Sequence, residues 1–290
     1  MSKIEVKNVS YQAGDKQILN DISLTIEEGK IYGLLGKNGV GKTTLLNLLT
    51  DRLLLKQGEI LFDGQPIANN DELLGAIYLM SERNLYSNSK KLKRILKETA
   101  IFYGSFDFEY ANELARKFNL NLEQRFGKLS TGYRSIFKII IALCVPAKFI
   151  FLDEPVLGLD ASHREIFYQE LLASYLKKMQ TFVISTHLIE EIASMLEHVF
   201  ILTEHKLLLD LPVEELLHQA YLIIGPQKQV DEYTQGLNVI GKERLGNLQG
   251  SYVYGSLDEE RLLPDVVKIE HVDLQKLFIY LTNISNPAVM

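Results

Sequence analysis

Apolar and polar positions alternate along the first part of the chain, over Lys3 to Val9 and again over Ile22 to Ile26. Period-two alternation predicts half-buried strands, and Ala13-Gly14-Asp15-Lys16 supplies a loop between them. The alternation stops at Lys30-Ile31-Tyr32-Gly33-Leu34-Leu35, an apolar run that predicts a buried strand. Thr44-Leu45-Leu46-Asn47-Leu48-Leu49 predicts the first turns of a helix. Gly58 to Gly64 predicts a short strand closing in an Asp-Gly turn, and Ile77 to Met80 a short buried strand. From about Leu85 to Leu143 the spacing becomes helical. Leu92, Ile95, Leu96, Thr99 and Ala100 share one face, and Tyr110, Leu114, Ala115 and Phe118 another. This stretch predicts a helical insert in an α/β core.

Strand-like runs return at Phe149–Leu152 and Thr181–Ser185, with a helix predicted between them over about Ser162 to Lys178. Val199–Leu202 and Lys206–Leu209 predict an edge hairpin. Continuous apolar strands separated by a helix imply a parallel sheet covered on both faces. After about Leu217 the texture changes. Short strand candidates at Ala220–Ile224, Ser251–Tyr254 and Val266–Ile269 alternate with glycine-rich turns. A helical stretch from Leu274 to Leu281 then precedes the polar run Thr282 to Pro287. The expectation is a small C-terminal α+β appendage.

Composition narrows the function classes. A chain of 290 residues with 47% hydrophobic and 23% charged content reads as an ordinary globular protein. The net charge of −6 and pI near 5.6 give no footing for a nucleic-acid partner. The densest basic patch, Lys90-Lys91-Leu92-Lys93-Arg94, reads as a solvated helix face. Cys144 is the only cysteine, so there is no disulfide framework. It stands in an apolar run, where a thiol serves as a small hydrophobe. The first residues lack the apolar stretch of a signal peptide, and no run approaches the roughly 20 residues that cross a bilayer. The expectation is a cytoplasmic chain with no direct membrane insertion.

The chemistry begins at Gly36-Lys37-Asn38-Gly39-Val40-Gly41-Lys42-Thr43, a full match to the phosphate-loop pattern G-x-x-x-x-G-K-[ST]. It lies between a predicted strand and a predicted helix, the context that makes the pattern a site. Gly36, Gly39 and Gly41 let consecutive N–H groups, with those of Asn38 and Thr44, curl around an anion. Lys42 can reach the β- and γ-phosphates, and the Thr43 hydroxyl can hold Mg²⁺. Downstream, the strand Phe149–Leu152 ends in Asp153-Glu154. Asp153 is suited to Mg²⁺, through water, and Glu154 to polarising an attacking water as general base.

Further residues carry a resemblance. Leu129-Ser130-Thr131-Gly132-Tyr133 is similar to the signature motif of the ATP-binding-cassette (ABC) ATPases, commonly Leu-Ser-Gly-Gly-Gln. Gly158-Leu159-Asp160 resembles the family's D-loop, Ser185-Thr186-His187 its switch-histidine loop, and Tyr11 its adenine-stacking aromatic. The resemblance covers residues 3 to about 215. It implies the α/β phosphate-loop NTPase fold of ABC ATPases over 1–215, with a helical subdomain at about 85–145 and the appendage at 216–290. It implies ATP and Mg²⁺ as ligands, and a second ABC ATPase chain, identical or different, paired head to tail. Ser130 and the Gly132 N–H would face the γ-phosphate held by that second chain, His187 would contact the γ-phosphate and steady Glu154, and Asp160 would signal across the dimer.

There are departures from the family pattern. Thr131 replaces the glycine in the middle of the signature, the first of its two, and Tyr133 replaces the glutamine. Where the family places a metal-touching glutamine, after Ile77–Met80, this chain has Ser81-Glu82. Ser81 is too short for that task. Glu82 could reach the metal, and could equally be a surface residue.

A lone cassette without long heptad runs is similar to ATPase subunits that dock on a separate transmembrane permease from the inner face of the membrane. The layout, with Val272 to Thr282 near the end, resembles exporter ATPases of the drug and peptide type, and loosely those of staphylococcal phenol-soluble-modulin exporters. The permease would dock between the core and the helical insert, with Ser81 to about Lys97 lining the groove. Two rivals stand beside this reading. One is a non-transport clamp that regulates a membrane complex. The other is a phosphate-loop kinase, which has no use for the signature.

Overall fold

The fold, a computed structural model, is described for residues 1–257 and 261–284. The alternating first segment forms a long hairpin, β1 (Lys3–Ala13) with β2 (Lys16–Glu27), turning at Gly14-Asp15. The loop expected there thus shrinks to two residues, because pairing carries the strands beyond their apolar alternation. β3 (Ile31–Gly36) is buried along its whole length and leads through the glycine loop into α1 (Lys42–Leu48). β4 (Gln57–Phe62) pairs antiparallel with β1, and a turn at Asp63-Gly64 sends the chain into β5 (Gln65–Pro66). Asp63 (φ 50°) and Gly64 (φ 80°) have the left-handed pair of angles a tight hairpin needs.

After α2 (Asp71–Leu74) and β6 (Ile77–Met80) come the helices of the insert. These are α3 (Leu92–Tyr103), α4 (Phe108–Lys117) and α5 (Thr131–Cys144). Leu92, Ile95 and Leu96 of α3, and Ala111, Leu114 and Ala115 of α4, are the buried faces. The chain continues through β7 (Phe149–Asp153), α6 (Ala161–Lys178), β8 (Thr181–Thr186), α7 (Ile189–Ile192), β9 (His198–Thr203) and β10 (Lys206–Pro212).

The central sheet has the order β10-β9-β3-β8-β7-β6. Its strands run parallel except for the β9–β10 edge hairpin. Register matters for function here. Leu35 lies opposite Thr186, and Asp153 opposite Ser185. The glycine loop, the Asp153-Glu154 pair and His187 therefore leave the same carboxyl edge of neighbouring strands, where α/β sheets bind ligands.

One face of this sheet packs against the helices, and the other against the β2-β1-β4-β5 sheet and α1. The lone thiol, Cys144, is buried in the first of these cores, and burial pushes its pKa upward.

The C-terminal part comprises α8 (Val213–His218), β11 (Ala220–Gly225), α9 (Gln227–Tyr233), β12 (Val239–Leu245), β13 (Leu248–Tyr254), β14 (Lys268–His271) and α10 (Leu274–Ile284). Its four strands form an antiparallel sheet of order β12-β13-β11-β14. Val213 and Leu216 of α8, and Leu274, Leu277 and Leu281 of α10, are buried in the same core as Ile189 and Ile192 of α7. The appendage is thus fused to the helical side of the cassette. The expected polar run from Thr282 is helical as far as Ile284, and its remainder lies outside the described residues.

Candidate active site

The glycine loop is shaped by backbone angles that side chains resist. Gly41, at φ 116°, caps α1, and a Cβ there would lie 2.6 Å from Leu19 Cδ2 and 2.8 Å from the Ile18 carbonyl oxygen. Any larger residue would push the loop off β2. Lys42 is buried, and its Nζ folds back to donate to the carbonyls of Gly36 (2.7 Å) and Lys37 (3.3 Å). Burial lowers its pKa, against the attraction of Glu154 and Asp153. A buried cation held only by carbonyls gains from an incoming anion.

β7 delivers the carboxylates. Asp153 is buried, and its Oδ1 accepts a hydrogen bond from the Thr43 hydroxyl at 3.2 Å. Burial raises its pKa, and the Thr43 bond opposes that rise. Glu154 follows at φ 47°, a left-handed conformation uncommon for a residue with a side chain. Its N–H donates to the Ser185 carbonyl at 2.9 Å, which holds the strained residue against β8. Its Oε2 lies 2.9 Å from His187 Nδ1. The histidine ring is half exposed and the Glu154 carboxylate mostly buried, so the pair sits at the mouth of the site.

These groups enclose a cavity of about 460 Å³. Asn38, Gly39, Gly41, Lys42, Thr43 and Thr44 line one side, and Glu82, Asp153, Glu154 and His187 the other. Ile18 and Leu157 also line it, and neither carries a sequence signal. Gly36 stands behind the cavity as the acceptor for Lys42.

The other expected site residues stand apart. Tyr11, in β1 opposite Leu19, packs half-buried against the core beneath the loop. Ser130 caps α5, accepting the Tyr133 N–H at 3.3 Å, and is exposed. Gly132 abuts the next loop so closely that a Cβ would come 2.5 Å from the Gly158 carbonyl oxygen. Asp160 caps α6. It accepts the His163 N–H at 2.9 Å, and its Oδ2 lies 3.0 Å from His163 Nδ1. Those bonds to His163 hold its pKa below the usual carboxylate range.

The two metal candidates part company. Ser81 turns away from the cavity and accepts the Arg83 N–H on Oγ, while Glu82 faces the cavity. Ser81 instead lines a neighbouring groove, also about 460 Å³, with Arg52, Leu85, Tyr86, Phe102 and Tyr103.

Among the described residues no cluster of three or more His, Cys, Asp or Glu could hold a metal unaided. Thr43, Asp153 and Glu82 offer hard oxygen donors on one cavity. That donor set fits Mg²⁺ once phosphate oxygens complete the shell.

Residues 19–157 match the family model described as ABC transporter. The chain is 32% identical over 213 residues to the ABC transporter ATP-binding protein YtrB of Bacillus subtilis, covering 73% of each chain. The chain belongs to the ABC transporter ATP-binding subunits. It is thus an ATPase that binds ATP, the nucleotide-binding subunit of a transporter. Such subunits work with transmembrane permeases. No helix among the described residues of this ABC ATPase is long and apolar enough to cross a membrane. It is 27% identical over 221 residues to the lantibiotic transport ATP-binding protein SrtF of Streptococcus pyogenes, covering 71% of this chain and 90% of that one. A solved ATP-binding subunit of an ABC transporter shares the fold, with a TM-score of 0.67 at 22% identity over 74% of this chain and 92% of that one.

Proposed function

We propose that this ABC ATPase drives export of a peptide or drug-like substrate through a separate transmembrane permease, working as a head-to-tail pair with a second, identical or different, ABC ATPase chain. The observation that carries the site assignment is the 2.9 Å contact between His187 Nδ1 and Glu154 Oε2, facing Lys42 and Thr43 across one cavity. In this reading Lys42 neutralises the β- and γ-phosphates and Glu154 takes a proton from the attacking water. His187 steadies that carboxylate and contacts the γ-phosphate. Tyr11 flanks the adenine. Thr43, Asp153 and Glu82 hold Mg²⁺, which when bound screens the phosphate charge.

Ser130, exposed at the start of α5, and the Gly132 N–H close over the nucleotide of the paired chain. Asp160, on the loop that touches Gly132, reports across that interface. Loss of the γ-phosphate removes the charge both chains share, and the pair loosens.

The groove beside Ser81 receives an apolar helix of the permease. Leu85 and Phe102, both well exposed, offer it a landing surface. The chain then sits in the cytoplasm, peripheral on the inner face of the membrane. Peptide cargo is supported by the lantibiotic transport ATPase among its relatives and by the Val272–Thr282 segment. Phenol-soluble modulins are one such cargo.

Glu154→Gln tests the mechanism. Hydrolysis is expected to fall roughly 10²-fold or more, with a nucleotide-bound dimer on gel filtration in ATP and Mg²⁺. A species that stays monomeric under those conditions refutes the shared-nucleotide dimer. Transport by vesicles carrying the permease tests the export reading separately.

A further inference from the structure

Helix α5 buries a cation inside its most apolar stretch, Ile136-Phe137-Lys138-Ile139-Ile140-Ile141. Lys138 is 6% exposed. Two of the three protons on its ammonium go to consecutive backbone carbonyls, those of Ser81 and Glu82, each at 2.9 Å. Burial lowers its pKa, while the carboxylates of Glu82 and Asp153 pull it back up. A leucine or methionine would fill this position at no desolvation cost, so the ammonium must be compensated by what it holds.

What it holds is the bend leaving β6. The Ser81 side of that bend faces the groove, and the Glu82 side chain faces the nucleotide cavity. Lys138 itself lines the groove. One ammonium therefore stands in the wall between the two cavities. It also stands on the helix whose first turn is capped by Ser130.

We propose that Lys138 is a positioning residue for Mg²⁺-bound ATP: its grip on the Ser81 and Glu82 carbonyls fixes the bend and so places the Glu82 carboxylate at the metal side of the nucleotide. The proposal rests on the reading of the cavity as an Mg²⁺–ATP site. It assigns to a helix lysine and a glutamate what a longer side chain at Ser81 would otherwise do alone.

The test is a binding titration of the full chain with a fluorescent N-methylanthraniloyl ATP, once with Mg²⁺ and once with EDTA, so turnover is not needed. Lys138→Met keeps the volume and removes the donors. The expected result is an affinity about ten-fold weaker with Mg²⁺ and within two-fold of the original in EDTA. Glu82→Gln should give the same metal-dependent loss. The double variant should be no weaker than Lys138→Met alone, since both act through one carboxylate.

Equal losses with and without metal, additive losses in the double variant, or no loss at all would each overturn the proposal. A merely structural role moves the melting temperature and leaves the metal dependence untouched. If Lys138→Met does not fold, Lys138→Gln, which retains an N–H donor, takes its place in the same comparisons. There the grip is partly restored, and a metal-dependent loss smaller than that of Glu82→Gln is expected. A loss independent of metal again overturns the idea. A wild-type chain that does not bind the analogue at all overturns the nucleotide reading and this proposal together.

Discussion

Two charged clusters in this molecule look alike on paper and behave oppositely. The nucleotide cavity sets Lys42 near Asp153 and Glu154. The C-terminal part sets Lys276 against Glu243, with Tyr252 and Tyr280 alongside. In the cavity the lysine is pushed below its ordinary pKa and the aspartate above it, so both charged forms are disfavoured. In the C-terminal clasp the lysine is raised by Glu243, and the glutamate is lowered by the Tyr252 hydroxyl and Lys276. Every charge there has found its partner. The difference separates a buried cluster that disfavours its own charges from one whose charges are paired. A cluster whose carboxylate rises and whose cation falls has been kept short of neutralisation, and an anion with its metal completes it.

The largest expected effect comes from removing the cavity's cation. Lys42→Ala should cut ATP hydrolysis by roughly 10²–10³-fold. Its buried ammonium bonds only to two carbonyls, so the melting temperature should stay or rise. Hydrolysis assays and thermal melts on the same preparation check both halves. Unchanged hydrolysis would remove Lys42 from the chemistry.

A second comparison follows from Asp153. A carboxyl whose folded pKa is raised penalises the fold once it ionises. That penalty is absent below the ordinary value of 3.8 and grows as pH rises through the raised value. Asp153→Asn should therefore stabilise the nucleotide-free chain at neutral pH by on the order of 1 kcal/mol, with a gain that vanishes in acid, while abolishing Mg²⁺-dependent turnover. A variant that melts lower at pH 7 would mean that Asp153 is satisfied in the empty state, and the contrast with the clasp would fail.

The same contrast explains what the sequence made legible. The cavity is written in contiguous segments, because a glycine loop and a strand-end carboxylate pair need specific residue types at fixed spacing. Gly36 to Thr44, Asp153 and Glu154 follow from that rule, His187 came only from the family resemblance, and the parallel register brings all of them to one edge. Lys138 does not, because its partners are the backbone carbonyls of a bend some fifty residues away in sequence. A lone lysine in a run of isoleucines was its only signal. In the C-terminal part, β12 reads as charged and turn-like through Gly241-Lys242-Glu243-Arg244, yet pairs with β13 along its length. α9 buries only Val230 and Tyr233, too thin a stripe to announce a helix. Long-range pairing overrode local texture there. At Ser81-Glu82 the sequence left two options, and the fold buries Ser81 beside the groove while Glu82 stays exposed on the lining of the cavity.

The smallest expected effect belongs to the clasp. Glu243 accepts from the Tyr252 hydroxyl, from Lys276 Nζ at 2.9 Å and from the Tyr280 hydroxyl at 3.4 Å. Its folded pKa is depressed below the ordinary 4.5, so its contribution is present above that value and is lost as pH falls through the lower one. Lys276 is 44% exposed, so solvent screens part of the ion pair, and Glu243→Gln should cost only about 1 kcal/mol near neutrality. The gap between variant and wild type should close in acid, the opposite trend to Asp153→Asn. Turnover per folded molecule should not change, because no atom of the clasp lines the cavity. Melts at pH 7 and pH 4 beside hydrolysis assays decide it. A fall in turnover at an unchanged melting temperature would instead extend the catalytic machinery into the appendage. The route is already visible, since α10 packs on α7 just beyond His187, and Lys37 Nζ in the glycine loop donates to Asn283 Oδ1 at 2.9 Å.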